Sequence, residues 1–272
     1  VVRVEEDAEL CSLIEDVNFR VILVSRRIQF HAPAEWKDLC KVVHIPDIAM
    51  TRTGQIKVAT LVAAAEKFIQ AGDRIVCLTG LDRSGAIDTI MVLDMGKEIE
   101  LFSAMTADPV PADVEAAVFE RVLTLSSELG VEGREGRPVG TLFVIGDTEK
   151  VLAQSHQLVI NPFHGYPEAD LNILDPRLEE TIKEFSAIDG AFILRGDGVV
   201  LSAGRYLAPR SKLEEALPQG LGTRHEAGAS ITATTEAVAL CVSQSTGTVS
   251  IFKRGRLITD IQKPRGRGVE GL

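Results

Sequence analysis

The chain has 272 residues, 45% of them hydrophobic and 25% charged, which is enough apolar matter for one large domain or two ordinary ones. Its formal net charge of −10 excludes a sequence-independent grip on nucleic acid, which needs clustered positive charge, but leaves room for a local electropositive phosphate site. No apolar run reaches the roughly 18 residues of a membrane-spanning helix, and the first residues carry acids where a signal peptide has an apolar core, so a cytoplasmic protein without membrane contact is expected.

The first part alternates strand and helix signals. Residues 20–25 (RVILVS) and 41–45 (KVVHI) have the apolar runs of buried strands, the second stopped by Pro46. Over residues 57–71, Val58, Leu61, Val62, Ala65 and Ile69 mark one face of a helix, and Gly72 stands where a glycine would end it. Residues 74–78, 86–93 and 99–102 supply further strands, and strand-helix-strand units of this kind build an α/β lobe. Asp88 and Asp94 flank one of these strands, the common place for solvated acids. Cys11, Cys40, Cys77 and Cys241 are scattered without a CxxC spacing and are expected to be reduced thiols with no metal role.

Two prolines in three residues, Pro109 and Pro111, break both helix and strand and make 107–111 the best linker. The expected domains are therefore 1–108 and 109–272. A helix is predicted over 113–129, a polar loop over 132–138, a buried strand over 141–145 and a short strand over 158–160. Asp175-Pro176 opens a second helix as N-cap and first residue. Thereafter the chain is mostly strand. Gly196-Asp197-Gly198 and Ser245-Thr246-Gly247 each sit between apolar runs and signal hairpins, and Arg254-Gly255 turns into a last strand. Residues 263–272, rich in glycine and basic residues, read as a disordered tail. The fold class is α/β: an α/β lobe, then a domain with a mixed, mostly strand-built central sheet flanked by helices.

Two segments break the ordinary patterning. Asp189-Gly190-Ala191 places a carboxylate at a strand entrance beside small residues that admit a bulky ligand, and such an Asp suits Mg²⁺ beside phosphates. Its bland alternative is an Asp-Gly turn. Gly222-Thr223-Arg224-His225 offers backbone freedom, a hydroxyl, a planar guanidinium and an imidazole, followed by a small-residue run at 227–230 that starts a short helix. A helix N-terminus there would aim N–H groups at an anion. Its bland alternative is a capped helix with a surface Arg–His pair. Neither segment matches the P-loop or GxGxxG spacing.

Together the two segments resemble the paired DGA and RHR-type motifs of the diadenylate cyclases. Supporting matches are Arg205-Tyr206-Leu207-Ala208-Pro209, Val242-Ser243-Gln244 before Thr246-Gly247, and the archaeal-type stretch at 161–166 (NPFHGY), which contains His164. The resemblance covers roughly 113–256. More loosely, Gly72 to Val76 with Thr79-Gly80 is similar to the C-terminal α/β lobe of pyruvate kinase, as in archaeal diadenylate cyclases. Three departures stand out: Glu226 where many members have a second basic residue, Gln244 where many have Glu, and Ile188 where some have His.

The resemblance implies a nucleotidyltransferase that condenses two ATP into cyclic di-AMP and releases pyrophosphate across a face-to-face homodimer or higher oligomer. It makes Asp189, Arg224 and His225 catalytic, with Asp189 the ligand of Mn²⁺ or Mg²⁺. It gives ATP contacts to Gly190, Ala191, Leu207, Gly222, Thr223, Arg224, His225, Ser243 and Gln244. A module that senses a nucleotide without turning it over is the alternative that Glu226 and Gln244 favour.

Overall fold

A computed structural model describes residues 20–26, 40–48, 50–80, 87–95, 97, 110–209 and 220–262. The predicted strand at 99–102, most of the linker at 107–111, the tail at 263–272 and Cys11 lie outside these residues.

Among the described residues, the first part holds two small sheets and a helix. Strand β1 (Val21–Ser25) pairs in parallel with β2 (Cys40–His44). Helix α1 (Arg52–Ala65) follows, capped by the Thr51 hydroxyl, which accepts from Gly54 N–H at 3.0 Å. Just past its end stands Lys67, whose φ of 60° lets Phe68 N–H reach back to the Ala63 carbonyl at 2.8 Å. The helix thus begins and ends about five residues before the predicted 57–71, and Gly72 lies in the next turn. Strands β3 (Arg74–Thr79) and β4 (Thr89–Asp94) form an antiparallel pair. Asp88 and Asp94 are each held by an arginine, Arg52 and Arg74.

The second part is one seven-stranded sheet. Its strands are β5 (Thr141–Ile145), β6 (Ser155–Gln157), β7 (Ala191–Leu194), β8 (Val200–Leu207), β9 (Val238–Val242), β10 (Val249–Lys253) and β11 (Arg256–Ile261), in spatial order β11-β10-β9-β5-β7-β8-β6. Only β5 and β7 run parallel; the other neighbours are antiparallel. All three predicted hairpin turns are present. In the last, Arg254 (φ 51°) and Gly255 (φ 76°) both take positive φ, the pair of conformations that matches strand twist.

Residues of β5 and β9 are buried without exception because helices cover both faces. Helix α2 (Ala116–Glu132) packs Val118, Val122, Leu125 and Leu129 on Phe143, Ile145, Leu240 and Val242. It starts three residues later than predicted, after a turn in which Glu115 N–H donates to the Gly196 carbonyl. Helix α3 (Thr148–Ala153) leads into β6. Asp175 caps a short 3₁₀ turn that runs into α4 (Glu179–Phe185). Helix α5 (Thr223–Thr234) covers the other face through Ala229 and Ile231 against Leu142, Val144 and Cys241. The apolar triplet at 158–160 is not a strand; the edge strand β6 lies just before it. Helices α1 and α2 share one continuous core, and Lys57 of α1 donates to the Asp260 carboxylate of β11 at 3.0 Å. Among the described residues no helix is long and apolar enough to cross a membrane.

Candidate active site

Because β7 is parallel to β5 while β8 and β9 are antiparallel to their neighbours, one end of the sheet gathers two strand starts and two strand ends. Thr141 pairs with Val242, Leu142 with Ala191, and Ala191 with Arg205. Asp189 stands just before β7, Leu207 closes β8, Ser243 and Gln244 follow β9, and α5 begins beside them. Residues far apart in sequence therefore share one edge of the molecule.

Arg224 joins two of these segments. Its Nη2 donates to Asp189 Oδ1 at 2.9 Å, across 35 residues of chain. The Asp189 side chain is 88% exposed, so the carboxylate stands open to solvent apart from this contact. Arg224 Nε is buried with no hydrogen-bond partner. A guanidinium with one donor committed and another unsatisfied gains from any anion that lets it regroup its donors.

Gly190 and Gly140 allow this convergence. Gly190 has φ +103°, and a Cβ there would lie 2.6 Å from Arg205 N and from Gly204 C. Only a residue without a side chain lets β8 pass this closely behind Asp189. Gly140 precedes β5, and a Cβ on it would come 2.9 Å from Gln244 Cβ and 3.3 Å from Arg224 Nη1. It is a part of the site that motif reasoning missed; a glycine directly before a wholly buried strand was the available signal.

Helix α5 starts at Thr223, so Gly222-Thr223-Arg224-His225 is its N-cap and first turn rather than a loop ahead of it. Gly222 accepts from His225 N–H at 2.9 Å and has no side chain to cap with. The Thr223 and Arg224 N–H groups have no acceptor among the described residues. Free N–H groups and the positive end of the helix dipole thus lie next to the Asp189–Arg224 pair. His225 turns the other way. Its ring is buried edge-on against Phe252, centroids 6.1 Å apart, and burial holds the imidazole below its ordinary pKa of 6.5. What it contributes from there is the seating of the α5 first turn.

Leu207 is buried in the core under α5, and Ala191 is buried in the sheet. The Ser243 hydroxyl lies 3.2 Å from that of Ser245 in the β9–β10 turn, while Gln244 is exposed. A cleft of about 330 Å³ opens between the 130–139 segment and this turn, lined by Arg137, Ser243, Gln244 and Thr246 among others. It shares Ser243 and Gln244 with the expected set but is not lined by Asp189, Leu207, Thr223 or Arg224. Burial pushes the Cys241 thiol up to about 12, leaving it an inert core residue.

Residues 128–257, which take in every one of these positions, match a family model described as DisA bacterial checkpoint controller nucleotide-binding. Residues 1–102 match one described as "Probable sensor domain DacZ_P". A diadenylate cyclase of Haloferax volcanii is 37% identical over 203 residues, 73% of this chain and 71% of its own length. The chain belongs to the diadenylate cyclase family. A second diadenylate cyclase, from Methanocaldococcus jannaschii, is 39% identical over 193 residues, 71% of this chain and 61% of that one. The chain thus spans somewhat under two thirds of the latter relative. Among solved structures, DacA from Staphylococcus aureus is similar over 53% of this chain and 87% of its own, at 22% identity and a TM-score of 0.38.

Proposed function

We propose that the protein condenses two ATP molecules into cyclic di-AMP. The observation that carries this is the meeting of Asp189 and Arg224 beside an uncapped helix start at one sheet end. The 3′-hydroxyl of one ATP attacks the α-phosphate of the other. A bond forms from that oxygen to phosphorus, the bond to the β-phosphate oxygen breaks, and pyrophosphate leaves. Repetition by the second ATP closes the ring. Each copy of the chain holds one ATP, so two copies face each other.

Asp189, open to solvent, lies near the attacking hydroxyl. Thr223 and Arg224 hold the phosphates through the free N–H groups and the guanidinium, and His225 fixes their helix turn from below. Gly190, Ala191 and Gly222 let the nucleotide approach the backbone. Leu207 presents its backbone to adenine, and Ser243 and Gln244 close the phosphate side.

A divalent cation fits this set. Asp189 Oδ1 accepts from Arg224, which leaves Oδ2 without a hydrogen-bond partner among the described residues. No group of three His, Cys, Asp or Glu side chains forms a ready cage among those residues. Mg²⁺ or Mn²⁺ on one carboxylate, completed by phosphate oxygens and water, is the habit of these ions at nucleotides. When bound, the cation neutralises charge on the reacting phosphates. Residues 1–108 form a sensing lobe packed against the cyclase of 109–272, and a cyclase that consumes ATP works in the cytoplasm.

The test is incubation of the purified protein with ATP and Mn²⁺ or Mg²⁺, with products separated by mass. Cyclic di-AMP and pyrophosphate are expected, with Asp189→Asn losing at least about 100-fold in rate while still binding ATP. Glu226, an acid exposed in the first turn of α5, favours the alternative of a nucleotide-sensing module. Bound but unconverted ATP with either metal would decide for it.

A further inference from the structure

Helix α2 runs into a tight hairpin before β5. Glu135 (φ 48°) and Gly136 (φ 73°) make its turn. Arg134 and Arg137 flank that turn, and each donates its N–H to the other's carbonyl, at 2.9 and 2.8 Å. The two arginines are used differently. Arg134 pairs with the Glu180 and Glu184 carboxylates of α4. The Arg137 side chain is exposed and makes no hydrogen bond or ion pair among the described residues. Its backbone is nevertheless fixed, because a Cβ on Gly133 would lie 2.2 Å from the Arg137 carbonyl oxygen. A guanidinium held in place without a partner is a ready anion ligand.

Among the described residues, Arg137 is the one cation that lines the cleft between this hairpin and the β9–β10 turn, and Glu132, the one acid there, is not paired with it. Glycines hold the two walls together. A Cβ on Gly130 would lie 2.3 Å from the Gly247 carbonyl oxygen, and one on Gly247 would lie 2.1 Å from that of Gly130. On the wall facing Arg137, the Ser243 and Ser245 hydroxyls stand 3.2 Å apart. The Gln244 and Ser245 N–H groups have no acceptor among the described residues. The cleft therefore has donors in excess, the condition for seating an oxyanion. It also adjoins the Asp189–Arg224 pair, because Gly140 packs against both Gln244 and Arg224 Nη1. A phosphate chain that starts at Arg224 passes Gln244 into the cleft.

We propose that Arg137 binds the β- and γ-phosphates of ATP in this cleft and then holds the departing pyrophosphate. The proposal rests on the cyclase reading and adds to it a cation from outside both motifs. Arg224 has one donor committed to Asp189, so it is not free to neutralise a whole triphosphate. When the α-phosphate is attacked, the bond to the β-phosphate oxygen breaks and its electron pair stays on pyrophosphate. A guanidinium already fixed beside the β-phosphate meets that charge as it develops. Arg137 therefore contributes both to binding and to departure of the leaving group.

Equilibrium binding to the full chain tests this, with Mg²⁺ present and two probes: 3′-deoxy-ATP, which lacks the attacking hydroxyl, and AMP, which lacks the two outer phosphates. Arg137→Gln is expected to weaken 3′-deoxy-ATP at least about tenfold and to leave AMP unchanged. Arg137→Lys keeps the charge and should recover part of the loss. Arg134→Gln, the same change of charge in the same hairpin, should leave both probes unchanged. The Arg137 side chain has no partner to lose, so the melting temperature is expected to hold. With ATP, kcat for cyclic di-AMP should fall in Arg137→Gln even at saturation. An Arg137→Gln variant that binds 3′-deoxy-ATP like the wild type, or loses both probes equally, overturns the proposal. So does an Arg134→Gln variant with the same loss, which would reflect only the charge of the hairpin. Binding is read without turnover. A wild-type chain with this Arg137-dependent preference that makes no cyclic di-AMP therefore sinks the cyclase reading alone.

Discussion

Gly190 and Gly222 both belong to the motifs that first marked this chain, yet substitution at the two should differ sharply. Gly190 has φ +103° and backbone atoms 2.6 Å from any added Cβ. Gly190→Ala is therefore expected to cost about 1–3 kcal/mol and to lower product formation with it, because β8 must move away from Asp189. Gly222 has an extended backbone (φ −89°, ψ −179°) with nothing within 4 Å of an added Cβ. Gly222→Ala should cost only about 0.5 kcal/mol, the small loss of a weak N-cap. Thermal melts of the two variants check the contrast. His225 adds a pH dependence. Burial depresses its folded pKa below 6.5, so the unfolded chain takes up the proton first. Its contribution is complete above pH 6.5 and is lost as pH falls through the lower folded value. A series of melts on the acid side should show this slope, and His225→Gln should flatten it.

At the scale of elements, Arg205 ties β6 to β8. Its guanidinium donates to Ser155 Oγ at 2.8 Å, the Ser155 carbonyl at 2.9 Å and the Leu152 carbonyl at 3.2 Å. Arg205→Met leaves these acceptors without their donor and is expected to destabilise the protein by about 1–3 kcal/mol. Hydrogen exchange should locate the damage, with amides of β6 losing protection while those of β5 and β9 keep theirs. This anchoring also shows why β6 was hidden in the sequence. Its residues, Ser155-His156-Gln157, are polar, and the apolar triplet after them looks more like a strand. Pairing with β8, not local propensity, selects the strand. The hairpins were legible because turn chemistry is local. The start of α1 was not, because Thr51 and Gly54 precede the first apolar repeat at Val58. The motif residues of the site could be named from sequence, but their convergence depends on β5 and β7 running parallel beside an antiparallel β9. No short segment encodes that pairing, which is also why Gly140 was missed.

At the scale of the whole molecule, the first lobe is fastened to the cyclase sheet through α1. Lys57 donates to both the carboxylate and the carbonyl oxygen of Asp260, each at 3.0 Å. Burial alone would raise the Asp260 carboxyl, but hydrogen bonds from Gln262 and Lys57 outweigh it and hold it below the usual range. Glu120 of α2 has no such relief. Burial, and then the charge of Glu66 just past α1, push its carboxyl up to about 7. A carboxyl raised above its unfolded value of 4.5 binds its proton more tightly in the folded state. Its stabilisation is full below pH 4.5 and is lost as pH rises through about 7. Glu120→Gln keeps the neutral shape without the charge. It is expected to raise the melting temperature at pH 8 and to change little at pH 5, whereas His225→Gln alters only the acid side. The two residues therefore limit stability from opposite directions, one in the cyclase core and one where the lobes meet. A Glu120→Gln variant whose melting temperature does not rise at pH 8 would show that Glu66 and Glu120 do not strain this contact.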